Sequence, residues 1–277
     1  MSATAQTIDR LKVEGRGALI GYLPVGFPTF DESVAAVRGL IDAGADIIEL
    51  GIPYSDPVMD GATIQQAVDV ALAGGTRVRD VFRLVEAVAG LGAPILAMTY
   101  FNPVLRYGVD AFARDLAAAG GAGLITPDLI PEEAGEWIAA ADERDLDKVF
   151  LVAPSSTPER LASTSRASRG FVYAASTMGV TGERATVGLR AEQLVADTRA
   201  AGAERVCVGL GVSQPEQAAE VGRYADGVIV GSAFVRPLLA PGPFGERLAA
   251  MQEVAAGLAA GVHRARAASA PAAGSTA

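Results

Sequence analysis

The chain has 277 residues but only one histidine, His263, one cysteine, Cys207, and two lysines, Lys12 and Lys148. A lone histidine close to the C-terminus removes the Ser-His-Asp triad, the Cys-His pair and histidine-built metal sites together. A single cysteine excludes an internal disulfide framework and makes a cytoplasmic location the expectation. With two lysines, a Schiff-base enzyme would have to use one of them. Basic charge is also short: 23 Lys+Arg stand against 32 Asp+Glu, for a net charge of -9, and no local basic stripe offsets it. Nucleic acid is therefore not an expected partner. No apolar run reaches the ~18 residues of a membrane span, and the N-terminus lacks a charged-then-apolar signal pattern. Acid–base chemistry in this chain falls to carboxylates or tyrosines.

What the chain does have is apolar residues: half of it is hydrophobic and 20% is charged, with a mean hydropathy of +0.30. That supports a real core and excludes wholesale disorder. Short, continuous β-rich runs lie at 18–23, 46–50, 94–99, 122–126, 148–152, 170–174, 205–208 and Gly227–Val230. They do not alternate apolar with polar, as expected of strands buried on both faces of a parallel sheet. Helical patterns intervene at 33–43, 78–89, 131–141, 158–165, 191–200 and 215–222, and a short helix at 5–13 precedes the first strand. Three of these helices carry proline near the first turn, where its missing N–H is harmless. About eight alternations predict a (β/α)8 TIM barrel. A doubly wound open sheet is the alternative, but no GxGxxG turn follows the first strand. One catalytic domain is expected over 1–262, with an Ala-rich, disordered tail over 263–277.

In such barrels the chemistry sits at the C-terminal ends of the strands. Glu49 lies in an apolar strand, where a carboxylate is costly unless paired or protonated. A strand-end salt bridge is the bland explanation. The functional one is a general acid/base whose apolar surroundings raise its pKa toward neutrality. The long loop after it, Gly51-Ile52-Pro53-Tyr54-Ser55-Asp56-Pro57-Val58-Met59-Asp60-Gly61, is stiffened by Pro53 and Pro57. Asp60 is a second candidate acid or, more plainly, a cap for the helix starting near Thr63. Residues 177–186 read as a mobile lid or an ordinary flexible loop. Gly209-Leu210-Gly211 and Gly231-Ser232-Ala233 follow the seventh and eighth strands, the usual place for a phosphate grip in this fold. Tyr22, Tyr100 and Tyr173 stand near strand ends, as pocket lining or barrel filler. Cys207 and Trp137 read as packing residues, and both lysines precede strands, away from the catalytic face.

These phrases resemble the tryptophan synthase alpha chain family from about residue 18 to 239. The most specific is Ile48-Glu49-Leu50-Gly51-Ile52-Pro53-Tyr54-Ser55-Asp56-Pro57-Val58-Met59-Asp60-Gly61, joined by Gly21-Tyr22-Leu23-Pro24-Val25-Gly26-Phe27-Pro28 and Gly179-Val180-Thr181-Gly182. Small departures occur at Tyr54, Val58-Met59 and Leu210, none at a carboxylate. The resemblance implies retro-aldol cleavage of indole-3-glycerol phosphate to indole and glyceraldehyde 3-phosphate. It implies Glu49 as proton shuttle, Asp60 at the indole N–H, and Thr181 positioning the lid. The backbone at Gly182, Gly211, Gly231 and Ser232 would hold the phosphate. Tyr22, Ile64, Met98, Tyr100, Ile125, Tyr173 and Leu210 would wall the pocket. No cofactor is expected in this chain. The partner is a pyridoxal-phosphate beta chain in an αββα assembly, met through Pro53, Asp56, Pro57, Asn102 and Pro103. A stand-alone lyase, another phosphate-binding barrel enzyme of the same pathway and a non-catalytic activating barrel are the competing readings.

Overall fold

The structure, a computed structural model, describes residues 2–176, 184–209 and 211–264, with backbone only at 184–187. Eight parallel strands close into a barrel in sequence order: β1 (Ala18–Pro24), β2 (Ile47–Gly51), β3 (Ile95–Met98), β4 (Gly123–Thr126), β5 (Asp147–Val152), β6 (Val172–Ala175), β7 (Val206–Gly209) and β8 (Gly227–Val230). Closure is set by the β8–β1 pairing, which runs from Ala18↔Gly227 to Gly21↔Val230. The open-sheet alternative is excluded.

The helices are α1 (Ala3–Val13), α2 (Phe30–Asp42), α3 (Ala62–Ala73), α4 (Arg79–Val88), α5 (Phe101–Tyr107), α6 (Val109–Ala118), α7 (Gly135–Glu143), α8 (Pro158–Ala167), α9 (Arg184–Ala200), α10 (Pro215–Tyr224), α11 (Ser232–Leu239) and α12 (Phe244–Arg264). The expected helix at 131–141 is divided: Pro131–Glu133 is a 3-10 turn, and α7 follows it. Local signals start several helices. The Thr29 hydroxyl accepts the Glu32 N–H ahead of α2, and Pro158 and Pro215 occupy first-turn positions of α8 and α10.

Side chains on alternate strand positions sort into two apolar clusters. Ile20, Ile47, Leu96, Ile125, Val149, Phe171, Cys207 and Ile229 fill the barrel interior. Leu19, Ile48, Leu50, Ala97, Leu124, Phe150, Val208 and Val228 pack outward with the helices. Ile8 and Leu11 of α1 are fully buried in the interior cluster and close the barrel's N-terminal end. Burying each is worth about 1.5–3 kcal/mol. The Ser2 hydroxyl anchors α1 there by donating to Asp147 at 2.8 Å.

One boundary expectation is corrected. α12 runs to Arg264, and its His263 meets Asp46, just before β2, at 3.0 Å. The domain therefore takes in residues that composition assigned to the tail; an Ala-rich stretch is also a good helix former, and Asp46 holds this one. Residues 265–277 lie outside those described.

Candidate active site

Glu49 stands on β2 opposite Tyr22 of β1 and Leu96 of β3. It is completely buried, and neither carboxylate oxygen has a hydrogen-bond partner among the described residues. The salt-bridge explanation fails. Burial pushes its carboxyl up to about 8, because a low-polarity surrounding disfavours the charged form. A protonated acid at neutral pH is the result.

Glu49 opens onto a cavity of about 500 Å3 at the C-terminal end of the barrel, which Asp60 also lines. Asp60 is half-buried, and burial raises its carboxyl. It does not cap α3. The N-cap is Gly61, with extended backbone, and Asp60 sits one residue too early. Among the described residues only its carbonyl is engaged, accepting from the Gln65 amide at 2.7 Å.

Tyr22 and Tyr173 reach the same cavity, and burial first, then nearby carboxylates including Glu49, push both phenols upward. Both stay neutral. Their hydroxyls have no hydrogen-bond partner among the described residues and are free to donate to a ligand. Ile64 and Met98 line the cavity as expected. Ile125 does not. It belongs to the interior cluster below, packed with Ile20, Leu96 and Val149. Leu151, Ile229, Pro127 and Ser176 line the cavity without having been among the expected pocket residues, and Met59 of the 53–59 loop lines it too. Leu151 is two residues past interior Val149 and pairs with Tyr173, which turns it to the same inner side once the barrel is closed.

One end of the cavity is built from backbone. Gly211 takes a left-handed φ of 66°, Gly231 is the N-cap of α11 and Ser232 its first residue, and all three line the cavity. The first turn of α11 presents N–H groups that the helix leaves unpaired, with the positive end of the helix dipole. Among the described residues, no arginine or lysine lines the cavity. Such a site holds an anion through neutral donors. Thr181, Gly182, Leu210 and residues 177–183 of the expected 177–186 lid lie outside the described residues, and 184–186 form the start of α9.

The expected partner surface is only partly exposed. Asp56 and Asn102 are exposed, Pro57 is half-buried, and Pro53 and Pro103 are buried. The two buried prolines are corrected from contact residues to packing residues within this chain. Three apolar side chains nearby are exposed: Val58 at 79% and Met59 at 53%, both in the loop whose Tyr, Val and Met suggest packing against a partner or a ligand, and Leu105 at 53%.

Residues suited to imine or imidazole chemistry lie at the other end of the barrel. Lys12 pairs with Asp226 at 3.6 Å, Lys148 with Asp142, and His263 with Asp46. Among the described residues no group of acidic, His or Cys side chains has metal-binding geometry, and no helix is long and apolar enough to cross a membrane.

Comparison with known proteins agrees with this geometry. The family profile of the tryptophan synthase alpha chain matches residues 8–262. The tryptophan synthase alpha chain of Mycobacterium marinum is 60% identical over 256 residues, 92% of this chain and 93% of that one. An open-form crystal structure of tryptophan synthase from M. tuberculosis superposes with a TM-score of 0.86 at 55% identity, covering 94% of this chain and 98% of that one. The tryptophan synthase subunit alpha of Legionella pneumophila gives 0.85 at 28% identity, covering 95% and 98%. The barrel thus has close counterparts across nearly its whole length, and the chain belongs to the tryptophan synthase alpha chain family, lyases that cleave indole-3-glycerol phosphate.

Proposed function

We propose that Glu49 and Asp60 divide the proton and charge work of this cleavage. The observation that carries the reading is Glu49: a buried carboxyl without a partner among the described residues, raised to about 8, facing a cavity that Asp60 shares. Carbon–carbon cleavage needs an electron sink, ordinarily a lysine imine or a metal-bound enolate. Both lysines lie at the far end of the barrel. The sink is then the indole ring. Glu49 protonates the ring carbon bearing the glycerol chain, which leaves the positive charge on the ring nitrogen. The resulting glutamate takes the proton from the adjacent side-chain hydroxyl. The carbon–carbon bond breaks, its electrons return to the ring as indole, and the side chain leaves as an aldehyde. Protons balance, because Glu49 gives one and regains one.

Asp60 stabilises the charged ring nitrogen. That interaction strengthens only as charge develops, so its loss lowers turnover more than affinity. Asp60→Asn should cut kcat by roughly tenfold with KM changed by less than about threefold. Indole release from indole-3-glycerol phosphate measures both. A pure KM effect would reduce Asp60 to a binding residue. The phosphate sits at Gly211, Gly231 and Ser232, held by backbone N–H groups. In a chain of net charge -9 a neutral grip supplies what cationic side chains would elsewhere.

The partner is a beta chain carrying pyridoxal phosphate, in an αββα assembly in the cytoplasm, to which indole passes. Asp56, Pro57 and Asn102, with Val58, Met59 and Leu105 between and beside them, form the docking face. Among the described residues Asp56 is bonded only to its neighbour, accepting from the Ser55 hydroxyl at 2.6 Å. Asp56→Ala should weaken beta-chain binding or the activation it causes, and leave the isolated chain's slow activity within about twofold. Loss of the isolated activity with partner affinity intact would make Asp56 catalytic instead.

A further inference from the structure

Tyr100 lines the cavity, yet its hydroxyl is already occupied. It accepts the backbone N–H of Val58 at 3.0 Å and of Met59 at 2.8 Å, the two residues immediately before Asp60. Both acceptor positions of the phenolic oxygen are thereby used. The side chains of Val58 and Met59 are 79% and 53% exposed, so packing holds this segment over the cavity only weakly. Among the described residues it is hydrogen-bonded by the Tyr100 hydroxyl upstream of Asp60 and by the Gln65 amide on the Asp60 carbonyl downstream.

Tyr100 is itself firmly placed. Its ring is 6% exposed and lies 5.4 Å from the Tyr54 ring, at the other end of the same segment. Tyr100 is the N-cap residue of α5. The Phe101 N–H that follows donates to the Asp128 carboxylate at 2.9 and 3.1 Å, tying the start of α5 to the loop after β4. The Asn102 amide donates to the Tyr54 hydroxyl at 3.1 Å. The first turn of α5 therefore grips residues 54–59 at both ends.

From this we infer that Tyr100 is a positioning residue: its hydroxyl sets the height of Asp60 over the cavity, and it links Asp60 to α5, the helix beside the exposed Asp56 face. The inference rests on the role proposed above for Asp60. A strut of this kind acts on the reaction because small placement errors at a charge-stabilising group reach ~10²-fold in rate. It leaves the anion end untouched, since Gly231 and Ser232 belong to α11 and its cap.

The test is Tyr100→Phe, which keeps the buried ring and removes the acceptor. Amide hydrogen exchange at Val58 and Met59 should accelerate by about tenfold or more, because two native hydrogen bonds are gone. Turnover should fall by roughly tenfold while KM and the affinity for glycerol 3-phosphate stay within about twofold. Placed on Asp60→Asn, the same change should lower turnover by less than about twofold, since the group it positions has lost its charge. Equal losses in the two backgrounds would show that Tyr100 acts without Asp60 and overturn the inference. Unchanged exchange at Val58 and Met59 would overturn it whatever Asp60 does. If Asp60→Asn alone proved fully active, the catalytic reading of Asp60 would fall, and the exchange measurement would still decide whether Tyr100 holds the segment.

Discussion

Replacing Glu49 with Gln should remove at least ~10²-fold of turnover, as expected for loss of a general acid, and at the same time make the folded chain more stable. The first effect follows from the position of the carboxyl in the cavity, the second from its isolation. Below pH 4.5 the Glu49 carboxyl is neutral in both folded and unfolded chains. Between there and about 8 the unfolded chain ionises while the folded one keeps its proton. The wild-type chain therefore loses stability across that window as pH rises, and above about 8 the loss is constant, at most on the order of 5 kcal/mol. Glutamine does not titrate. Denaturant titrations of the two chains should nearly coincide in their pH trend at pH 4 to 4.5 and diverge steadily up to pH 8.5. For the same reason wild-type turnover should decline as pH rises through about 8, where the acid form disappears. Parallel stability curves across this range would show that Glu49 ionises normally, and near-normal turnover of Glu49→Gln would remove it from the reaction.

Gly51→Ala should damage catalysis nearly as much, through a residue that touches no substrate. A Cβ at Gly51 would lie 2.1 Å from the Tyr22 hydroxyl and 2.4 Å from its ring carbon Cζ. On its other side the Tyr22 ring runs past Gly231, where a Cβ would be 3.2 Å from Cδ1. The ring threads between two glycines, and a methyl at Gly51 drives it toward the anion end or into the cavity, taking room a ligand needs. Tyr22 is also the strand neighbour of Glu49. We expect kcat/KM to fall by roughly 10²-fold and stability by about 1–3 kcal/mol, the usual result of overpacking. Gly135→Ala, where nothing lies within 4 Å of the new Cβ, is the control and should change neither. Unchanged kcat/KM in Gly51→Ala would mean that the Tyr22 ring has room to move and that its placement does not matter to the reaction.

Much of this protein was legible before any coordinates. The eight strand runs correspond to β1–β8 with shifts of a residue or two, because continuous apolar β-rich runs between glycine-ended helices leave few other folds. Glu49 was legible because an acid is conspicuous in an apolar strand. The sequence pattern does not reveal helices α5 and α6. Gly108, with φ of 97°, breaks what would be one helix into two short ones, too short for periodicity to register. The C-terminal boundary was drawn early because the Asp46 partner of His263 lies 217 positions away, beyond any local signal.

The sequence by itself determined the barrel, the residue types available for chemistry and the absence of a lysine near a strand's C-terminal end. Only the tertiary structure decided which side chains meet. Strands buried on both faces carry apolar residues inward and outward alike, so composition does not tell the interior from the exterior. Barrel closure does, and it put Leu151 in the cavity while leaving Ile125 beneath it. The Tyr100 hydroxyl is the same case. As a residue near a strand end it reads as a pocket wall, and only the path of the loop over it turns that hydroxyl into the acceptor that holds Val58 and Met59.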